Sequence, residues 1–160
     1  MRTAVVCFIL ALFALAPIAA TAQPTISIYT NADTYQSGDT IEVGLSAQNY
    51  AEATSLDVYI VLIGPDGVVY AQGPGGWSRA IQPWASDIRV PSMFSLDRTP
   101  FWWFDVPCEM PPIGEIGGYS FVAAMAHSGT FDFIGDLSSS PFTVSLCASS
   151  QFYCERGDGR

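Results

Sequence analysis

The chain has no lysine and a single histidine, His127. Six arginines, one of them Arg2, stand against fifteen carboxylates, for a net charge of −9. A surface this acidic repels phosphate backbones and anionic lipid, so neither nucleic acid nor a charged membrane is an expected partner. The excess charge reads as a device for solubility. One histidine at a strand end leaves a catalytic triad without a second candidate base. No G-x-S-x-G elbow occurs, and Ser128 in AHSGT lacks the first glycine. A Cys108–His127 dyad ranks below an oxidised or simply unpaired Cys108. No CxxC pair exists, which leaves zinc and thioredoxin-like chemistry without support. Asp33 with Asp39, and Asp132 with Asp136, fit no EF-hand or comparable calcium spacing and read as solvated loop acids. No catalytic residue, metal ligand or cofactor is expected.

Long apolar runs are also scarce. The single one, Ala4 to Ala16, follows Arg2 and precedes Pro17 and Ala20-Thr21-Ala22. A basic start, an apolar centre and small residues at −3 and −1 form a secretory signal, residues 1–22, cut before Gln23. The run is too short to span about 30 Å of hydrocarbon comfortably. No later stretch is long enough, so no membrane span is expected after cleavage. The chain is expected to be secreted, periplasmic or on the cell surface.

Cys108, Cys147 and Cys154 survive cleavage, and an oxidising compartment permits a disulfide between two of them. Cys147–Cys154 is favoured by its short separation, and Cys108 is the alternative partner of Cys147.

Helical periodicity is missing after the signal. Period-two alternation replaces it, punctuated by turn residues about every ten positions. That pattern predicts an all-β antiparallel sandwich of about seven to nine strands over residues 23–147. The last residues, 148–160, read as a polar, mobile tail. The predicted strands are Thr25–Thr30, Thr40–Gln48, Ser55–Ile63, Val68–Gln72, a short piece near Ile88–Val90, Phe101–Val106, Tyr119–His127 and Ser139–Cys147. Ile41, Val43 and Leu45 share one face of their strand. Leu56, Val58, Ile60 and Leu62 share one face of theirs, whose second half is apolar on both faces and should be covered on both sides. Gly64-Pro65-Asp66-Gly67 is a tight turn, because proline presets φ and glycine accepts positive φ. Gly73–Pro100 reads as a long loop.

Three segments carry a resemblance: TYQSGDTIEVGLSAQN (Thr34–Asn49), SLDVYIVLIGPDGVVY (Ser55–Tyr70) and GGYSFVAAMAH with SPFTV (Gly117–Val144). Their order and spacing resemble the immunoglobulin-like or fibronectin-III-like accessory domains of secreted bacterial proteins. The resemblance implies a two-sheet sandwich, usually in tandem with other modules, and no catalytic residue. Read as a short, free-standing chain, it is not expected to serve as a spacer.

Aromatic residues are the remaining signal. Trp77 and Trp84 fall in the Gly/Pro-rich stretch beside Gly75 and Gly76, Trp102 and Trp103 occupy opposite faces of one strand, and Phe131 and Phe133 precede the last strand. Exposed rings stack on sugar faces or on a partner's side chains. Trp77, Trp84, Trp102, Phe131 and Phe133 are therefore the candidate ligand-binding residues. The competing reading, preferred for the long loop, folds it over so that Trp77 and Trp84 plug the sandwich. Arg156-Gly157-Asp158 matches the tripeptide that integrins read, a match too short to assign a role. The expected function is a non-catalytic exported module for protein–protein contact or surface assembly. The alternative is a carbohydrate-binding module using the tryptophans.

Overall fold

A computed structural model describes residues 23–106 and 117–145. The signal, Cys108, Cys147, Cys154, Leu146 and the tail with its Arg156-Gly157-Asp158 lie outside the described residues. Ten strands follow in chain order: β1 (Thr25–Thr30), β2 (Thr34–Gln36), β3 (Thr40–Asn49), β4 (Thr54–Ile63), β5 (Val69–Gly73), β6 (Gly76–Ser78), β7 (Ala85–Val90), β8 (Phe94–Asp105), β9 (Gly117–His127) and β10 (Phe133–Ser145). Among the described residues no helix is long and apolar enough to cross a membrane.

The strands form two sheets. One has three strands in the order β1-β3-β8. The other runs β2-β10-β9-β4-β5-β6, with β7 also pairing β4. Strand β4 is central: β9 covers one side from Leu56 to Ile63, while β7 and β5 share the other. All pairings are antiparallel except β2 with β10.

Alternation explains the core. Ile41, Val43 and Leu45 of β3 face inward, opposed by Leu56, Val58, Ile60 and Leu62 of β4 and by Phe121, Ala123 and Met125 of β9. A row of rings crosses the interior: Tyr35 to Phe142 (5.6 Å), Phe142 to Phe121 (5.3 Å), Phe121 to Trp102 (5.9 Å) and Trp102 to Trp77 (5.5 Å between centroids). The predicted turn forms: Gly67 N–H donates to the Gly64 carbonyl, Val68 N–H to Asp66 Oδ1, and Gly67 has φ 77°.

The structure corrects several boundaries. The described residues form ten strands where seven to nine were expected. Gly73–Pro100 is less loop than expected: the short strand near Ile88–Val90 forms as β7, starting at Ala85, and β6 and the first half of β8 fall in the same stretch. Strand β8 starts at Phe94 because Ser95, Leu96 and Thr99 continue the ladder to β3 past Pro100. Strand β10 starts at Phe133, taking in residues expected as loop, and a bulge between Ile134 and Ser138 absorbs Gly135, Asp136 and Leu137. The loop after β1 contains the short strand β2. On β4 the doubly covered half is the first: Asp57 and Tyr59 are buried, whereas Val61 and Ile63 are only half-buried.

The two seams between the sheets are closed differently. At one, β10 lies beside β1, and Ser138 and Ser140 point inward. Their hydroxyls accept hydrogen bonds from the Ile28 and Thr30 N–H groups (3.0 and 3.1 Å). Alternate serines on one strand meet alternate amides on the other, so the edge of β1 is capped rather than open. At the other seam, aromatic side chains of β8 meet those of β6 and the segment before β7.

Candidate functional site

The predicted aromatic residues separate into two places. Trp77, Trp84 and Trp102 meet at the aromatic seam, while Phe131 and Phe133 lie on the outer face of the larger sheet.

At the seam, a bulge in β8 sets the geometry. Val43 pairs with Trp102 and Gly44 with Pro100, which leaves Phe101 without a partner residue on β3. An extra residue of this kind re-aims its neighbours. Phe101 and Trp102, adjacent in sequence, consequently both pack against the core, while Trp103 points out and is 57% exposed. The opposite facing of Trp102 and Trp103 agrees with the sequence reading. Strand β6 carries Trp77, paired with Gln72 of β5. Trp84 is held by its own N–H, which donates to the Val58 carbonyl (2.8 Å). Trp84 then meets Phe101 at 5.2 Å and 51°, and Trp77 meets Trp102 at 5.5 Å and 60°.

These side chains enclose a cavity of about 100 Å³ lined by Val43, Ile60, Gln72, Trp77, Trp84, Phe101, Trp102 and Phe121. Trp77 and Trp84 are half-buried and packed on the core, as the plugging reading expects. Gln72 and Phe101 were not singled out from sequence. Gln72 looks like an ordinary strand glutamine, and a bulge has no reliable local signature.

On the outer face of the larger sheet, Tyr59 lies beside Ala124 and near Ala126, forming a second apolar cluster outside the main core. Phe131 and Phe133 pack on the Tyr59 ring, each 5.7 Å from it, and remain 64% and 48% exposed. Leu137, pushed out by the β10 bulge, is also exposed. Small alanines let the Tyr59 ring lie flat enough to be covered, and its hydroxyl donates to the Thr130 carbonyl (3.3 Å). Burial and the nearby Asp57 charge push the Tyr59 hydroxyl above its usual value.

Asp57 holds the loop that presents Phe131. Its carboxylate accepts from the Asp87 N–H (2.8 Å) and the Gly129 N–H (2.9 Å). Both residues have positive φ, 51° and 73°. These two backbone bonds, with Ser128 contributing, hold the Asp57 carboxyl below its ordinary value despite burial.

His127 is exposed, as are Asp132 and Asp136. Asp39 caps a turn by accepting from the Gln36 N–H (2.7 Å). Among the described residues, no three His, Cys, Asp or Glu side chains come together as a metal site.

The architecture is that of an all-β protein with two facing sheets. No family model matches the sequence, and no curated protein matches it. Solved structures that resemble it over most of its length include the following three. One is the CARDB domain of a Pyrococcus furiosus protein, crystallised with two metal ions: TM-score 0.45, 11% identity, 78% of this chain and 96% of that one. Another is the Pseudomonas fluorescens alkylpurine DNA glycosylase AlkC bound to DNA: TM-score 0.49, 10% identity, 77% of this chain and 30% of that one. The third is the Bacillus subtilis sporulation control protein Spo0M: TM-score 0.34, 14% identity, 79% of this chain and 50% of that one.

Proposed function

We propose that this chain is a non-catalytic, immunoglobulin-like module of the exported compartment that docks on another protein through the outer face of its larger sheet. Strand order supports the immunoglobulin-like part. The first strand is split, with β1 on β3 in one sheet and β2 parallel to the last strand in the other. The order β1-β3-β8 matches the A-B-E arrangement, and β10-β9-β4-β5 matches G-F-C-C′. The leader read from residues 1–22 supports export. That compartment permits the Cys147–Cys154 bridge, with Cys108 as the alternative partner.

The observation that carries the docking reading is the pair of exposed phenylalanines seated on Tyr59. Phe131, Phe133 and Leu137 present apolar surface to water on an otherwise acidic chain. Exposed aromatic anchors over a packed base are the usual centre of a protein interface. A glycan partner is supported less well. The seam tryptophans are half-buried and tilted against their neighbours, so they offer no flat, exposed pair of rings.

Site-specific photo-crosslinking in the producing cell tests the proposal. A benzophenone side chain at position 133 should give a defined protein adduct. The same group at Ser46, on the smaller sheet, should give none, and Leu137→Asp should weaken the adduct at 133. Equal labelling from both positions, or glycan binding abolished by Trp84→Ala, would overturn it.

A further inference from the structure

We infer that the seam cavity is a binding site for a small, neutral, largely apolar molecule carrying one hydroxyl or N–H donor, of about the size of phenol. The inference is independent of the docking face, which lies on the outside of the larger sheet.

Size is the first argument. The cavity holds about 100 Å³. A single water needs only about 10–15 Å³, and a dry apolar cavity of roughly 150 Å³ admits benzene. The space here falls between the two, nearer the latter. It suits one small ring or a short branched chain.

Lining is the second argument. Seven of the eight lining side chains are aromatic or aliphatic, and Gln72 is the exception. No charged group lines the space, so an ionised ligand would be buried without a counter-charge. The ligand is therefore neutral.

The third argument is an orphaned acceptor. Gln72 Nε2 donates to the Gly73 carbonyl (3.3 Å), which orients the amide. Its Oε1 is buried and has no hydrogen-bond partner among the described residues. Such atoms are few in folded proteins because desolvation without a bond is costly. A ligand O–H or N–H donating to Oε1 would satisfy it, while the ring contacts Trp77, Trp102 and Phe121. Trp77, Trp84, Phe101 and Trp102 in the lining are half-buried, so the cavity lies near the surface. A few precise polar groups in an apolar concavity are how small-molecule sites gain orientation.

Nuclear magnetic resonance of the processed chain provides the test, with phenol and its isostere toluene as probes. The indole N–H signals of Trp77, Trp84 and Trp102 report on the cavity. That of Trp103, on the opposite face and donating to Glu42 Oε2, is the internal reference. Phenol should shift the three cavity signals saturably, with a Kd in the millimolar range expected for a ligand of this size, and leave Trp103 unmoved. Gln72→Met keeps the side-chain shape and removes the acceptor. It should lower the phenol-over-toluene preference about tenfold, the loss expected of one hydrogen bond. Shifts that never saturate, or a preference unchanged in Gln72→Met, would overturn the inference. Should that variant fail to fold, the wild-type titration against the Trp103 reference still decides whether the cavity binds.

Discussion

Asp57 shows how one side chain sets the shape around it. It stands at an outward position of β4, where a strand pattern predicts a solvated acid, yet it is 4% exposed. Two backbone amides at left-handed positions, Asp87 and Gly129, explain the burial, because both point their N–H groups at its carboxylate. The carboxyl's folded value lies below its ordinary 3.8. A depressed value means that the ionised form contributes stability at pH above the unfolded value, and that this contribution is lost as pH falls through the folded one. Asp57→Asn keeps the volume but turns an amide N–H toward one of the two donors. The variant should lose about 2 kcal/mol of unfolding free energy at pH 7. The gap to wild type should narrow as the pH falls below the carboxyl's ordinary 3.8 and through its lower folded value. Urea denaturation at pH 7, 5 and 3 checks both points, and a pH-independent gap would remove the electrostatic explanation. Asn49 is the neutral counterpart. Fully buried, it donates to the Glu52 and Pro91 carbonyls and accepts from the Ala51 N–H, tying the β3–β4 loop to the residues after β7. Neither role was legible in the sequence, since the partners lie 30 to 72 residues from Asp57 and up to 42 from Asn49.

Elements were legible wherever alternation was clean. Strands β3, β4 and β9 bury the faces their periodicity assigns, because each has a full apolar face packed against the opposite sheet. Strand β10 was misread at its start for a physical reason. Its inward positions 138 and 140 continue the face of Phe142 and Val144 but are serines, and polar residues there hide the strand's first half. They point inward because each hydroxyl replaces a missing strand beside β1. Strand β8 was misread because Pro100 and the Phe101 bulge break its period. The serine cap carries its own prediction. Ser138→Ala with Ser140→Ala leaves the Ile28 and Thr30 amides without acceptors, and should cost about 1–3 kcal/mol together. Hydrogen exchange should speed up at those two amides, while the amides of Ser27 and Tyr29, pointing toward β3, keep their protection. Uniform loss of protection across β1 would mean that the serines act on the whole strand rather than on its edge. Tyr29 offers a further constraint on the same strand. Its ring covers Gly44 so closely that a Cβ there would collide with it, and the Arg98 guanidinium lies over the ring, 4.0 Å from its centroid.

At the scale of the whole molecule, charge and apolar surface act against each other. Composition made the first legible: no lysine and fifteen carboxylates. The second is only partly legible, because loop aromatics such as Phe131 and Phe133 stand out in a sequence while the Tyr59–Ala124–Ala126 base beneath them does not. That base comes from residues of β4 and β9 that alternation assigns to the solvent side. Net negative charge keeps such a surface apart in solution through mutual repulsion. Repulsion vanishes near the isoelectric point, about 4.1 for this sequence. A carboxyl held below 3.8 is still mostly ionised there, so the loop that presents Phe131 keeps most of its anchor. The folded chain should therefore begin to self-associate as the pH falls toward 4, through Phe131, Phe133 and Leu137, before it unfolds. Sedimentation velocity at pH 7, 5 and 4.2, alongside circular dichroism, would follow the two processes separately. A Phe131→Ser, Phe133→Ser variant has the same charge and should stay monomeric at pH 4.2 where the parent does not. Equal association by both proteins would trace the effect to charge loss alone and leave the phenylalanine face without a part in it.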